Sequence, residues 1–309
     1  MTNIFELSQR FKTRKQVLKF LKELRFPNGV FCPRCGSLKT CTIKSIDKFQ
    51  CLEPECKYMF SVTCGTIFHG SHIPLQKWIL ACFLICNAKK GISAKQIQRD
   101  LQVTYKTAWY LMHRIRRAMK DTDYLQKLSG IVEMDETWLG GSIRRGGNKK
   151  SRIYHRLRHM ENQITRERQD NYSLIIGAVE RSGRIRAKMI PSTQKQHLRK
   201  FITANISQEA EMVITDEHAV YKHLKAEYNH QRIHHQFEYV RGQIYTNTIE
   251  NFWSILKRGF VGVYHKMSPK YIPLYLSEFT FRHNQNGSTD TYKTVIKNGL
   301  LTDKLLISE

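Results

Sequence analysis

Four cysteines in two close pairs constrain the fold of this chain more than any other feature of its sequence. Cys32 and Cys35 form a CxxC motif, and Cys51, sixteen residues later, begins a second pair that ends at Cys56. Two such pairs on separate turns can place four thiolates at the corners of a tetrahedron, which is the coordination of structural Zn²⁺. The spacing therefore predicts one structural zinc ion in a zinc ribbon over residues 31–68.

Other interpretations of these cysteines are a disulfide pair and a CxxC redox motif. The sequence begins without the apolar segment typical of a secretory signal, so we expect a cytoplasmic setting in which disulfides are rare. A redox CxxC is not expected to be followed by a second close pair. Because a ribbon of this size cannot build a large core, we expect the metal to supply most of its folding free energy.

The charge of the chain indicates the class of its partner. There are 51 Lys and Arg residues against 26 Asp and Glu residues, which gives a net charge of +25. A positive field of this size favours a polyanion, and nucleic acid is the leading candidate. The hydrophobic fraction of 41% is enough for packed cores, which excludes wholesale disorder. No stretch approaches 18 apolar residues, so no membrane span is predicted.

The hydrophobic pattern divides the rest of the chain. Residues 1–30 predict a helical lead, and residues 129–286 alternate strand and helix patterns, as an α/β (α+β) domain does. Within that domain, residues 141–171 carry nine Lys and Arg and few apolar residues, so we expect a basic insertion or simply a solvated loop. Residues 287–309 are weakly patterned and are taken as a tail.

Residues 69–128 contain three helical segments and predict a helix-turn-helix DNA-binding domain. The third segment, from residue 105 to about residue 120, combines an apolar stripe with polar and basic side chains on faces that we expect to be exposed, including Arg116. The side chains that we expect to contact DNA are Tyr105, Lys106, Thr107, Tyr110, His113, Arg114 and Arg117. An ordinary three-helix packing unit is the alternative.

Two aspartates stand where strands can present them at a sheet edge. Asp135 lies toward the end of a predicted strand over residues 131–138, and Asp216 directly follows a short buried strand over residues 212–215. Asp216 could instead cap a helix that begins near Ala219. Further acidic residues nearby compete for any catalytic role, and these are Glu133, Glu136 and Glu217.

A third acidic residue, Glu250, falls on a predicted amphipathic helix. The apolar residues of this helix recur at i, i+3, i+4 and i+7 and predict its buried stripe: Ile249, Phe252, Trp253 and Leu256. Asn247, Glu250 and Lys257 fall on an adjacent face. Two strand-end aspartates and this glutamate could hold two Mg²⁺ ions for phosphodiester displacement, with Lys257 on the substrate phosphates. Glu250 could equally be a solvated helix residue.

The order of these motifs resembles the DDE transposases of a bacterial insertion-sequence group that carries an N-terminal zinc ribbon, the ISXO2-like family, which is related to the eukaryotic Merlin elements. The strings that carry the resemblance are CPRCG, GISAKQIQRDLQ, VEMDETWLGG, ITDEHAVY, TNTIENFWSILKRG and EFTFRHN. This sequence departs from the family in its widened second cysteine pair, CLEPEC, and in Tyr245, where the family often has His.

The resemblance implies an RNase H-like catalytic domain whose two aspartates match Asp135 and Asp216 and whose lysine matches Lys257. The family has Glu or Asn at the third position, and this sequence holds both. We choose Glu250 because a carboxylate binds Mg²⁺ better than an amide. Asn247 remains as a further ligand or DNA contact.

The function implied is that of an insertion-sequence transposase that binds terminal inverted repeats and target DNA and cuts and joins strands with two Mg²⁺ (or Mn²⁺) ions. We expect a homodimer or larger assembly, because two DNA ends must meet. We expect a cytoplasmic, nucleoid-associated protein, or a nuclear one in a eukaryotic host. The alternatives are a transposase-derived DNA-binding regulator without catalysis, and an RNase H-like nuclease without strand transfer.

Overall fold

The computed structural model describes residues 3–120, 126–140, 172–216, 219–233 and 242–301. The chain forms two compact units, one of Met1–Asp121 with Gln285–Glu309 and the other of Thr122–Asn284. The basic insertion expected over residues 141–171 lies outside the described residues. Within the part of the chain that is described, no helix is long and apolar enough to cross a bilayer.

Helices and strands both contribute to the described structure. The α-helices are α1 (Ile4–Arg10), α2 (Arg14–Arg25), α3 (Leu75–Asn87), α4 (Ala94–Leu101), α5 (Tyr105–Ala118), α6 (Lys195–Asn205), α7 (Asn247–Gly259), α8 (Ile272–Asn284) and α9 (Thr291–Leu301). The strands are β1 (Thr40–Ile43), β2 (Lys48–Cys51), β3 (Met59–Phe60), β4 (Ile131–Gly140), β5 (Tyr172–Glu180), β6 (Ile185–Ile190), β7 (Met212–Thr215) and β8 (His230–Arg232).

The predicted helical lead consists of two helices rather than one. Asn3 and Glu6 form a capping box at the start of α1, and Thr13 and Gln16 form another at the start of α2. Each box satisfies backbone N–H groups that have no partner inside the helix. The second box starts a new helix with Thr13 as its N-cap, so the lead is divided into two helices.

The ribbon is a small antiparallel sheet in the order β1-β2-β3. Phe26, Phe49 and Phe60 pack near one another beneath it, with ring centroids 5.6 to 6.0 Å apart. The Cys51 N–H at the end of β2 donates to the Tyr58 carbonyl and closes the turn that carries Cys56. This apolar cluster is small and can contribute only part of the folding free energy of the ribbon, so a bound metal is expected to contribute the rest.

Helices α3, α4 and α5 follow the ribbon, as the sequence predicts for this region. The residues after 286, taken as a tail from sequence, include α9, which packs against α2, α3 and α5. Gly299 on α9 allows close packing, because an added Cβ would lie 2.5 Å from the Ile67 side chain. The last helix of the chain therefore belongs to the core of the first unit.

The second unit contains a five-stranded sheet in the order β6-β5-β4-β7-β8. Strands β4, β5 and β6 form an antiparallel meander, and β7 and β8 run parallel to β4. One apolar cluster joins the sheet to α6, and a separate cluster joins it to α7 and α8. The predicted α/β fold class is confirmed. The sequence analysis did not identify β8, which has three residues.

Candidate active site

Asp135 and Asp216 are brought together by neighbouring parallel strands. Strand β4 pairs with β7 through Ile131–Met212, Val132–Val213 and Glu133–Ile214. Continued by two residues, this register places Asp135 beside Asp216, at the point where β7 has just ended. Both side chains are half-buried.

Helix α7 brings a second set of polar side chains to the same region. Its predicted apolar stripe is confirmed, because Ile249, Phe252, Trp253 and Leu256 are all buried. Asn247 and Glu250 lie in its first turn with exposed side chains, and Lys257 lies half-buried in its last turn. The Thr246 hydroxyl donates to Glu250 Oε1 at 3.0 Å, which orients this carboxylate.

The electrostatics of Asp135 link it to the side chains of Asp216, Glu250 and Lys257. The pKa of Asp135 is raised to about 7, chiefly by burial and then by the negative charges of Asp216 and Glu250, whereas a backbone hydrogen bond from Glu136 and the Lys257 ammonium oppose the shift. Burial lowers the pKa of Lys257, and the Asp135 carboxylate opposes that change. Asp216, Glu250 and Lys257 are therefore all close enough to Asp135 to influence its carboxyl group.

The donor set of this site fits a hard divalent cation. Carboxylate oxygens are the ligands that Mg²⁺ takes in proteins, and the three acidic groups carry more negative charge than Lys257 offsets. Among the described residues, the four cysteines form a group whose ligand atoms all lie within 4.8 Å of one another, and the three carboxylates do not form such a group.

Two of the competing glutamates are engaged elsewhere. Glu133 is buried and accepts hydrogen bonds from the first turn of α7. Glu136 accepts a short hydrogen bond from the Tyr221 hydroxyl on the opposite face of β4. Glu217 lies outside the described residues. Strand alternation places Glu133 on the same face as Asp135. The sequence therefore gave no signal to distinguish a metal ligand at Asp135 from a residue at Glu133 that binds the first turn of α7.

The metal-free protein should become more stable when Asp135 is replaced by Asn. The folded Asp135 carboxyl titrates near pH 7 and the ordinary one near 3.8, so the folded state retains a proton across this window and loses stability as the pH rises through it. We expect Asp135→Asn to raise the free energy of unfolding by on the order of 2 kcal/mol at pH 8 in EDTA. Denaturant unfolding at pH 4 and pH 8 tests this, because the gain should vanish at pH 4.

Gly177 lets α7 approach the sheet beside the acidic cluster. It pairs with Asp135 across β4 and β5, and an added Cβ would lie 2.6 Å from the Trp253 ring. We expect Gly177→Ala to cost about 1 to 3 kcal/mol of stability by overpacking, measured by denaturant unfolding. The same change should impair cleavage, since it displaces the helix that carries Glu250. Wild-type stability in this variant would show that α7 does not pack closely on the sheet.

The four predicted zinc ligands form a compact cluster in the ribbon. Cys32 Sγ lies 3.8 Å from Cys56 Sγ, and Cys35 Sγ lies 3.6 Å from Cys51 Sγ. All four sulfur atoms lie within 4.8 Å of one another. Sulfur atoms at these separations can surround one tetrahedral Zn²⁺, which holds each sulfur at about 2.3 Å.

Helix α5, which is predicted to contact DNA, exposes fewer of its polar and basic side chains to solvent than expected. Tyr105, Lys106 and Tyr110 are exposed, and Thr107 and Arg117 are half-buried. The expectation of exposure is wrong for His113, Arg114 and Arg116, which are all less than 10% exposed. Helix α5 packs against α3, α4 and α9, so more than one of its faces is covered.

The contacts of Arg114 explain its burial. Its guanidinium donates to the His69 carbonyl at 2.8 Å and lies 5.4 Å from the centroid of the Trp78 ring. Burial lowers the pKa of Arg114. Its role in this structure is therefore to hold α5 against the ribbon-to-helix connection and α3.

Comparisons with known proteins agree with this architecture. Residues 127–284 match the ISXO2-like transposase domain, and residues 12–59 match the transposase zinc-ribbon domain. A protein of Halobacterium salinarum, described as an uncharacterized protein in transposable element ISH50, is 26% identical over 301 residues, which cover 94% of this chain and 98% of the relative. The first match spans just over half of the chain, which therefore belongs to the ISXO2-like transposase family.

Proposed function

We propose that this protein is an active insertion-sequence transposase that cuts and joins DNA strands at a site formed by Asp135, Asp216 and Glu250. The observation that carries the proposal is the β4–β7 register that brings Asp135 beside Asp216, together with the electrostatic influence of Asp216, Glu250 and Lys257 on the Asp135 carboxyl group. Metal-ion sites for phosphodiester chemistry need such a concentration of carboxylates beside a cation that can bind phosphate. The family membership supports the same function.

The chain's own residues divide the work of the reaction. Asp135 and Asp216, held on adjacent parallel strands, and Glu250, oriented by Thr246, would hold two Mg²⁺ ions. The chemistry that Mg²⁺ would supply there is activation of a water or a 3′-hydroxyl and stabilisation of the leaving oxygen. Lys257 neutralises negative charge at the same site and binds a substrate phosphate. Asn247, exposed in the first turn of α7, would contact the metal or the DNA.

We propose that the second unit is an RNase H-like catalytic domain. Its mixed five-stranded sheet, covered by helices on both faces, supports this assignment. Helices α4 and α5, joined by a short turn in which Gln102 adopts a left-handed conformation, support a helix-turn-helix in the first unit. Together with the ribbon, this helix pair would recognise the terminal repeats of the element.

Lys106 on α5 gives a direct test of DNA recognition. We expect Lys106→Gln to weaken binding to an element-end duplex and to reduce by about one the slope of log K against log salt, because one phosphate contact is lost. Fluorescence anisotropy at several salt concentrations measures both quantities. Lys270→Gln, an exposed change on the second unit, serves as the comparison. Equal slopes for Lys106→Gln and wild type would exclude Lys106 from the phosphate contacts.

We propose that the active form contains at least two copies of the chain, because transposition requires two DNA ends at once. The overall function is tested by incubating the protein with Mg²⁺, a duplex that carries the element end, and a target plasmid. A transposase yields both cleaved ends and joined products. Cleavage without joining would indicate a nuclease, and binding without cleavage would indicate a DNA-binding regulator.

A further inference from the structure

Glu133 is a charged side chain with no exposed surface, although it lies only two residues before Asp135 on β4. Side chains two residues apart on a strand point to the same face, so Glu133 and Asp135 both face α7. A buried carboxylate is costly unless it is paired and fully hydrogen-bonded. The hydrogen-bond partners of Glu133 therefore indicate its structural role.

Three of these partners belong to the first turn of α7. Glu133 Oε2 accepts the backbone N–H groups of Thr248 at 2.8 Å and Ile249 at 3.2 Å. Glu133 Oε1 accepts the Thr248 hydroxyl at 3.0 Å. First-turn N–H groups have no acceptor inside a helix, and the N-terminal residue Thr246 makes no capping bond with its side chain. Glu133 supplies the missing acceptor from another strand, at the positive end of the helix dipole.

Arg181 completes the connection. Its Nε donates to Glu133 Oε1 at 2.8 Å, and its guanidinium also donates to the Tyr245 carbonyl at 3.0 Å. The same guanidinium lies 3.6 Å from the centroid of the Tyr245 ring. Glu133 and Arg181 thus hold both the first turn of α7 and the residue that precedes its N-cap.

We propose that Glu133 is a positioning residue that fixes the first turn of α7, and with it Asn247 and Glu250, relative to Asp135. The proposal rests on the proposed function. Glu133 and Asp135 share one strand at a fixed separation of about 6.6 Å, so any movement of the α7 N-terminus away from Glu133 also moves Glu250 away from Asp135. Ligand geometry for paired ions tolerates displacements of only about 0.5 Å.

Glu133→Gln tests this with little change in shape. The Gln amide has a single acceptor oxygen, so its NH₂ group must face either the two backbone N–H groups or Arg181 and the Thr248 hydroxyl. Glu180→Gln is the matched control. Glu180 lies on the neighbouring strand β5, and its carboxylate accepts the Gly130 N–H at 2.7 Å just before β4, not a bond from the first turn of α7.

The readouts are Mn²⁺ affinity of the DNA-free protein, measured by electron paramagnetic resonance, and the Mg²⁺ concentration for half-maximal cleavage. For Glu133→Gln we expect Mn²⁺ affinity to fall about tenfold or more, with the Mg²⁺ requirement raised to match and cleavage partly restored at high Mg²⁺. Glu180→Gln should lower the melting temperature and leave both metal readouts at wild-type values.

A milder variant covers the case in which Glu133→Gln fails to fold. Thr248→Val removes only the hydroxyl bond to Glu133 and should shift Mn²⁺ affinity in the same direction by about twofold or more. If the folded variants lose stability but keep wild-type Mn²⁺ affinity, Glu133 merely supports the fold and the proposal is wrong. A wild-type protein that neither binds Mn²⁺ nor cleaves DNA would overturn the proposed function itself.

Discussion

Replacement of Asp135 by Asn should lower the rate of Mg²⁺-dependent cleavage at the element end by at least about a thousand-fold, and Asp216→Asn and Glu250→Gln should do the same. Each change removes a charged metal ligand, and loss of about 4 kcal/mol of transition-state stabilisation corresponds to this factor. DNA affinity should stay within about threefold of wild type, because the proposed DNA-reading side chains lie on another unit. A gel-based cleavage assay and fluorescence anisotropy measure the two quantities.

The control for this series is Glu211→Gln, an exposed acidic residue just before β7 that is not part of the proposed site. It should cleave at nearly the wild-type rate. Full activity in Glu250→Gln alone would transfer the third ligand role to Asn247, and Asn247→Ala would then show the large loss. Full activity in Asp135→Asn or Asp216→Asn would refute the proposed catalytic site.

Loss of the zinc ion should unfold the ribbon. Structural zinc contributes about 10 to 16 kcal/mol in small zinc-binding peptides, far more than the few apolar contacts of this sheet can supply. We expect Cys32→Ser to lower the zinc content from one ion per chain to near zero and to increase the proteolytic sensitivity of the ribbon. Element-end binding should fall as well, since the ribbon is proposed to contribute to it.

Cys41→Ser is the matched comparison for that experiment. Cys41 lies on β1 with an exposed side chain and is not part of the four-sulfur cluster. It should keep one zinc ion per chain and wild-type protease resistance, measured by plasma emission spectrometry and limited trypsin digestion. A protein purified without zinc that still resists trypsin over residues 31–68 would contradict the structural role of the metal.

The sequence predicted the elements that carry the proposed site because their local patterns are clear. The i, i+3, i+4, i+7 spacing of α7 marks its buried stripe and leaves Glu250 outside it, and β7 is a short apolar run that ends directly before Asp216. The two cysteine pairs are likewise recognisable from the close spacing of their members in the sequence. Local patterns of this kind are readable without knowledge of the tertiary structure.

Features that depend on tertiary contacts were not predicted. The burial of His113, Arg114 and Arg116 follows from packing on several sides of α5, one of which is contributed by α9 from the far end of the chain. The role of Glu133 depends on a helix that begins 114 residues later in the sequence, at Asn247. Neither the packing of α9 on α5 nor the contact of α7 with Glu133 produces a periodic pattern in the local sequence of α5 or β4.

The most direct test of the central claim is a crystal structure of the protein soaked in Mn²⁺, with anomalous difference density used to locate the metal. The claim predicts manganese peaks between Asp135, Asp216 and Glu250, separated by about 4 Å if two ions bind. Carboxylates that point apart, with no manganese between them at millimolar concentration, would contradict it.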